Sequence, residues 1–218
     1  MKKTLLTTAI LSIISIAPQS ANAALINGST LNFDTSATSG NFTSLPAAGS
    51  GSYFAMEVTS GTQVVTGISG FDSLIIGSTQ SASSSAIGNI DNPWMFSGIQ
   101  GVHESTSNTN IISASGDTAT IDFSGWGVFW NGSSINLGTG ISNGMATITC
   151  DTGSGCSDGA GYMLDYFATT AEGDISSKGG VSYSLHLEGT ISAVPVPAAI
   201  WLFTSGLIGL FSAFKYKS

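Results

Sequence analysis

The sequence predicts an all-β protein: a single antiparallel β-sandwich, jelly-roll-like, framed by two end segments that lie outside the fold. Three observations lead there. Between residues 24 and 193, apolar and polar residues alternate with the period of two that belongs to a strand with one buried face, and helical periodicity is nearly absent. Clusters of Gly, Ser, Asn and Asp interrupt these runs at the spacing of an all-β sandwich. The apolar weight behind a mean hydropathy of +0.30 is concentrated at the two ends, which leaves a polar, weakly charged middle.

Residues 1–23 read as an export signal. Met1-Lys2-Lys3 is its positive start, Thr4 to Ala17 its apolar stretch, and Pro18 its break. Ala21 and Ala23 supply the small residues of a cleavage site, with the cut after Ala23. The apolar stretch is shorter than the roughly 20 residues that a membrane-spanning helix needs.

The body, residues 24–193, then carries the strands. Tyr53 to Thr59, Gln63 to Ile68, Thr118 to Phe123, Trp126 to Trp130, Ala146 to Cys150 and Tyr162 to Ala168 each show the alternation. The longest run is Val181 to Ala193. There Tyr183, Leu185, Leu187 and Ile191 face one way, and Ser184, His186, Glu188 and Thr190 face the other. Asn131-Gly132 and Asn143-Gly144 are hairpin-turn dipeptides. Ser69 to Ile90 is Ser/Gly-rich and is expected to include a long loop, and Asp151 to Gly161 reads as another. Cys150 and Cys156, close together in an exported chain, are expected to form a small disulfide loop.

Charge sets limits on function. Charged residues make up 8% of the chain, against about 25% in a typical domain. No arginine is present, and four of the five lysines lie at the ends. Residues 24–193 therefore hold 13 acidic groups against Lys178, a net charge of 1 − 13 = −12. Such a body repels nucleic acid and anionic lipid, so no nucleic-acid partner is expected.

The C-terminal segment, residues 194–218, has three parts. Val194-Pro195-Val196-Pro197 forms a stiff, extended strip, because proline fixes its own φ and pushes the preceding residue to extended geometry. An uncharged apolar helix follows over 198–214, AAIWLFTSGLIGLFSAF. Its seventeen residues rise about 25 Å, just under the roughly 30 Å hydrocarbon thickness. Trp201 suits the outer interface, and Lys215 and Lys217 suit the cytoplasmic side, so the body is expected outside.

This order of proline motif, short span and basic tip resembles the PEP-CTERM sorting domains of exopolysaccharide-producing Gram-negative bacteria. VPVPAAIWLFTSGLIGL is particularly similar to the VPLPA-CTERM subclass, with Val194, Pro195, Val196, Pro197, Ala198 and Ala199 as the motif and Trp201-Leu202-Phe203 and Ser205-Gly206-Leu207 as the following run. The resemblance covers about 24 of the 218 residues. It implies recognition by an exosortase-type membrane enzyme, cleavage near the motif, and transfer to the cell surface or extracellular matrix. The segment departs from the name-giving motif in having Val196 in place of Glu, and its tip has two lysines and no arginine.

Candidate chemistry is sparse. His103 and His186 are the two histidines, and no G-x-S-x-G motif nominates a nucleophile for either. His186, on the polar face of its strand beside Glu188, reads as a surface histidine. No catalytic residue and no metal ligand set is assigned. His103-Glu104 lacks a second ligand at a spacing that suits zinc, and calcium is the candidate cofactor, through the loop aspartates Asp34, Asp72, Asp91, Asp151 and Asp158, but no D-x-[DN]-x-[DN]-G pattern is present. Trp126 and Trp130 share a face with Val128 and read as core, whereas Trp94, after Asn92-Pro93, is expected in a loop and is the better candidate for a sugar contact, burial being the commoner use of a tryptophan. The expectation is therefore a non-enzymatic surface or matrix protein associated with exopolysaccharide or biofilm. Its partners are the export machinery, a processing enzyme and, before processing, the inner membrane. The alternatives are a carbohydrate- or calcium-binding module, and a permanently anchored secreted hydrolase.

Overall fold

The computed structural model describes residues 24–59, 62–68, 73–82, 89–139, 144–171 and 179–194. The described residues contain fourteen strands and no helix, and hence no helix able to cross a membrane. The export signal, the expected span over 198–214, and the sorting motif beyond Val194 lie outside them, as do Lys178 and Asp72.

The strands are β1 (Thr30–Phe33), β2 (Gly40–Phe42), β3 (Tyr53–Thr59), β4 (Thr62–Gly67), β5 (Ser73–Ile75), β6 (Trp94–Phe96) and β7 (Ile99–Ser105). They continue with β8 (Ile111–Ser115), β9 (Thr118–Asp122), β10 (Trp126–Trp130), β11 (Ser133–Asn136), β12 (Met145–Cys150), β13 (Gly161–Thr169) and β14 (Ser182–Ser192). Two sheets result, in which the paired strands run antiparallel. The larger has ten strands in the order β2-β4-β3-β14-β13-β12-β9-β8, with β1 on β14 and β5 on β1. The smaller is β11-β10-β7-β6.

The long alternating runs form strands within one residue of their expected limits. Within Ser69 to Ile90, where a long loop is expected, Ser73–Ile75 forms β5 and Gln80 bridges to Ser105. The short strands β1, β2, β5, β6 and β11 offer too few residues for a period to register. Strand β7 hides for a different reason. Its sequence IQGVHES ends in three polar residues that are nonetheless buried. Asn131 and Gly132 form the expected two-residue turn, with φ of 51° and 76°, the double positive φ of a type I′ hairpin between Trp130 and Ser133. The second expected hairpin is corrected as far as its flanking strands go: β11 lies in one sheet and β12 in the other, where it pairs with β9 and β13, while Asn143 lies outside the described residues.

One core lies between the sheets. Alternation on β13 and β14 sends Tyr162, Leu164, Tyr166, Tyr183, Leu185 and Leu187 inward. The small sheet answers with Trp94, Phe96, Trp126, Val128 and Trp130. Rings interlock across the layers: Phe54 lies 4.5 Å from Trp94, and Phe123 lies 4.6 Å from Trp126 and 5.1 Å from Tyr166.

Strand β14 organises the larger sheet. One side pairs with β13 along nine residues, Gly161↔Thr190 to Thr169↔Ser182. The other pairs first with β3, over Tyr183 to His186, and then with β1, over Gly189 to Ser192. Between the two the backbone of Glu188 lacks a strand partner on that side. Asp34 N–H donates to its carbonyl at 2.6 Å, Ser52 Oγ donates to the same carbonyl at 2.9 Å, and its own N–H reaches Ser52 Oγ at 3.0 Å. A buried backbone group without a partner is costly, so Ser52, fully buried, closes the seam where β1 and β3 diverge.

Candidate functional site

The outer face of the larger sheet carries the most developed polar cluster. Register places Asp165 opposite His186 on β13–β14, and His186 opposite Tyr53 on β14–β3. Glu188 follows two residues on, on the same face. His186 Nδ1 lies 2.6 Å from Asp165 Oδ1, and Nε2 lies 2.5 Å from Glu188 Oε1. The ring stacks on Tyr53, centroids 5.0 Å apart. His186 is 5% exposed, which corrects its reading as a surface histidine: a polar face becomes buried when a loop folds over it. That loop is held by Glu188, which accepts Gly49 N–H at 2.5 Å and Gly51 N–H at 3.4 Å, and by Tyr53, whose hydroxyl donates to the Pro46 carbonyl.

Electrostatics follow the geometry. Burial lowers the His186 pKa, but hydrogen bonds and charge from Asp165 and Glu188 outweigh it and raise the value above the ordinary one. Burial raises Glu188, and His186 with the Gly49 and Gly51 amides brings it net below the ordinary range. Both ring nitrogens face carboxylates, so neither is left to take a proton from a hydroxyl nucleophile.

Beside this cluster, over the seam, lies an open trough of about 560 Å³. Asn32, Thr149 and Thr190 supply neutral polar groups, Asp34, Asp151 and Glu188 supply carboxylates, and Phe33 and Met163 are apolar. Gly161 keeps it open: a Cβ there would lie 2.7 Å from the Asp151 carboxylate, which accepts the Gly161 N–H. No lysine or arginine lies among the described residues, so the trough offers mainly hydrogen-bond acceptors and hydroxyls.

The second histidine is elsewhere. His103, on β7, is fully buried between the sheets. Its Nδ1 pairs with Asp91, which also accepts Trp94 Nε1 at 2.9 Å and His103 N–H at 2.8 Å. Its Nε2 lies 2.8 Å from the Tyr183 hydroxyl, to which Trp126 Nε1 donates at 3.3 Å. Burial pushes the Tyr183 pKa well up. This Asp91–His103–Tyr183 chain has no solvent access and holds the two sheets together.

Trp94 is corrected. It sits on strand β6, not in a loop, is 7% exposed, and packs on Phe54 with its indole N–H on Asp91, so its ring face is not available for a sugar. Trp126 and Trp130 are core, as expected. Several of the loop aspartates weighed for calcium engage backbone amides instead: Asp34 takes Ser36, Asp151 takes Gly161, and Asp158 takes Ala193. No group of three or more His, Cys, Asp or Glu side chains suited to a metal occurs among the described residues.

Cys150 and Cys156 form the expected disulfide, with Cα atoms 5.3 Å apart. Sequence reasoning missed what frames it. Asp117 Oδ2 accepts Gly153 N–H at 2.7 Å and Oδ1 accepts Gly155 N–H at 2.8 Å, and these amides hold its carboxyl below the usual range. The signal was a G-x-G spacing in the loop, whose acidic partner lies 36 residues before it.

Of the sorting motif, only Val194 is described, at 40% exposure; Pro195 to Ala199, Trp201, Lys215 and Lys217 lie outside the described residues, as do Ala21 and Ala23. Comparison with family models, with curated proteins and with solved structures finds no match to the chain.

Proposed function

We propose that this chain is an exported surface or extracellular-matrix protein, non-enzymatic, delivered through an exosortase-type C-terminal sorting signal and associated with exopolysaccharide or biofilm. The observation that carries the reading is the segment from Val194 to Phe214, with its Val-Pro-Val-Pro strip, its apolar run and the lysines after it. The acidic body and the export signal agree with it. In fold, the two antiparallel layers are read as a β-sandwich, with more strands than the eight of a jelly roll.

The body's chemistry favours binding or structure over catalysis. The hydrolase alternative needs a histidine beside a nucleophile. His103 is sealed in the core, and His186 is saturated by two carboxylates. A second reading rests on the trough, whose hydroxyls, amide and carboxylates match the donors of a neutral, hydroxyl-rich glycan.

Mass spectrometry of protein recovered from the cell surface tests the main reading. The expected product begins at Ala24 and lacks the apolar tail. Recovery of an intact Ser218 end from the surface fraction refutes processing. A glycan array probed with the same protein tests the trough, and binding that survives Asn32→Ala and Thr190→Ala together removes it from consideration.

A further inference from the structure

Both ends of the body meet on one short segment. Ala24, the residue after the expected export cut, makes an antiparallel bridge with Ser157, and Leu25 donates its N–H to the Cys156 carbonyl at 3.0 Å while its side chain is buried. From the other end, Ile191 donates to the Ala160 carbonyl at 2.9 Å and accepts Gly159 N–H at 2.8 Å. Ala193 N–H then donates to Asp158 Oδ1 at 2.9 Å. Val194 follows against Gly28, where a Cβ would lie 3.1 Å from Val194 Cγ2. The segment gripped from both sides, residues 156–160, is itself fixed by the Cys150–Cys156 disulfide and by Asp117 beneath the glycines of that loop.

We propose that this clasp positions the C-terminal processing segment, with Asp158 as the positioning residue and the disulfide as its frame. The proposal rests on the reading that the tail is processed. A processing enzyme needs a substrate backbone free to enter its site. Residues 182–192 are committed to the sheet, and Ala193 is committed to Asp158. The peptide bonds up to Ala193 are therefore withheld from the enzyme, which is left to cut beyond them. Cleavage there breaks a peptide bond, passes the carbonyl carbon to water or to an acceptor amine or hydroxyl, and releases the tail with a new amine. The clasp acts by withholding the peptide bonds up to Ala193.

The test uses the full chain in a host with its own processing enzyme. Intact mass gives the C-terminal residue of surface-recovered wild type, Asp158→Ala, Asp158→Asn and the Cys150→Ser/Cys156→Ser pair, and amide exchange is followed at Leu25 and Ala193. The wild type should show one end, at or beyond Val194. Asp158→Ala and the paired serine variant should show scattered ends reaching upstream of Val194, with roughly 10-fold faster exchange at Ala193. Asp158→Asn keeps an oxygen that can accept the Ala193 N–H and should restore the single end. A wild-type end upstream of Val194, or ends unchanged in the alanine and serine variants, overturns the proposal. An intact Ser218 in the wild type defeats the processing reading itself and the proposal with it, whereas trimmed wild type with unchanged variant ends defeats the proposal alone.

Discussion

His186 shows how one residue ties three strands and a loop through its charge. Its pKa is raised in the fold, so its contribution is complete below the ordinary value of 6.5 and is lost as pH climbs through the folded value. Glu188 is lowered, so its contribution is complete above 4.5 and is lost as pH falls through its folded value. The pair therefore stabilises the body most fully between pH 4.5 and 6.5. The melting temperature of the wild type should fall as pH rises beyond that window, and His186→Gln should flatten this limb; equal slopes in the two proteins count against the cluster. At Asp91 the stakes are higher. It is fully buried and holds His103 and Trp94. Asp91→Ala leaves the Trp94 indole N–H, the His103 amide and His103 Nδ1 without their partner and should cost about 3–5 kcal/mol, read by chemical denaturation.

At the scale of elements, β14 is the hinge of the design. The β1 backbone crosses it so closely at Gly189 that a Cβ would lie 1.9 Å from the Asn32 carbonyl oxygen. Gly189→Ala must push β1 outward, so a loss of about 1–3 kcal/mol is expected. Faster amide exchange should follow at Leu31 and Asn32, whereas Tyr53 to Met56, on the other partner strand, should be spared. The long alternating strands were legible because a period of two over many residues is hard to produce by chance. The three-residue strands and β7 were not, since β7 buries His103, Glu104 and Ser105 against its own pattern. The disulfide was legible from the spacing of its cysteines; the Asp117 cradle under it was not.

At the scale of the whole body, the described residues are acidic and bring Ala24 and Ala193 onto one loop. The described residues hold ten carboxylates and no lysine or arginine. The recovered protein should bind an anion-exchange resin at neutral pH and should fail to shift duplex DNA at low salt, where electrostatic attraction would be strongest. A shift of DNA under those conditions would contradict the charge distribution.

Composition, periodicity and cysteine spacing suffice for the all-β class, the sense of each long strand's faces and the disulfide, because each is a local property of consecutive residues. Only the tertiary structure decides what the histidines meet, where Trp94 points and that Ala24 and Ala193 share one loop. Each of these depends on register and on loops folding over faces, which bring together residues far apart in the chain. Asp91 meets His103 across 12 residues, Asp165 meets His186 across 21, and Gly49 meets Glu188 across 139. A period of two fixes which way a side chain points, but not which strand lies beside it.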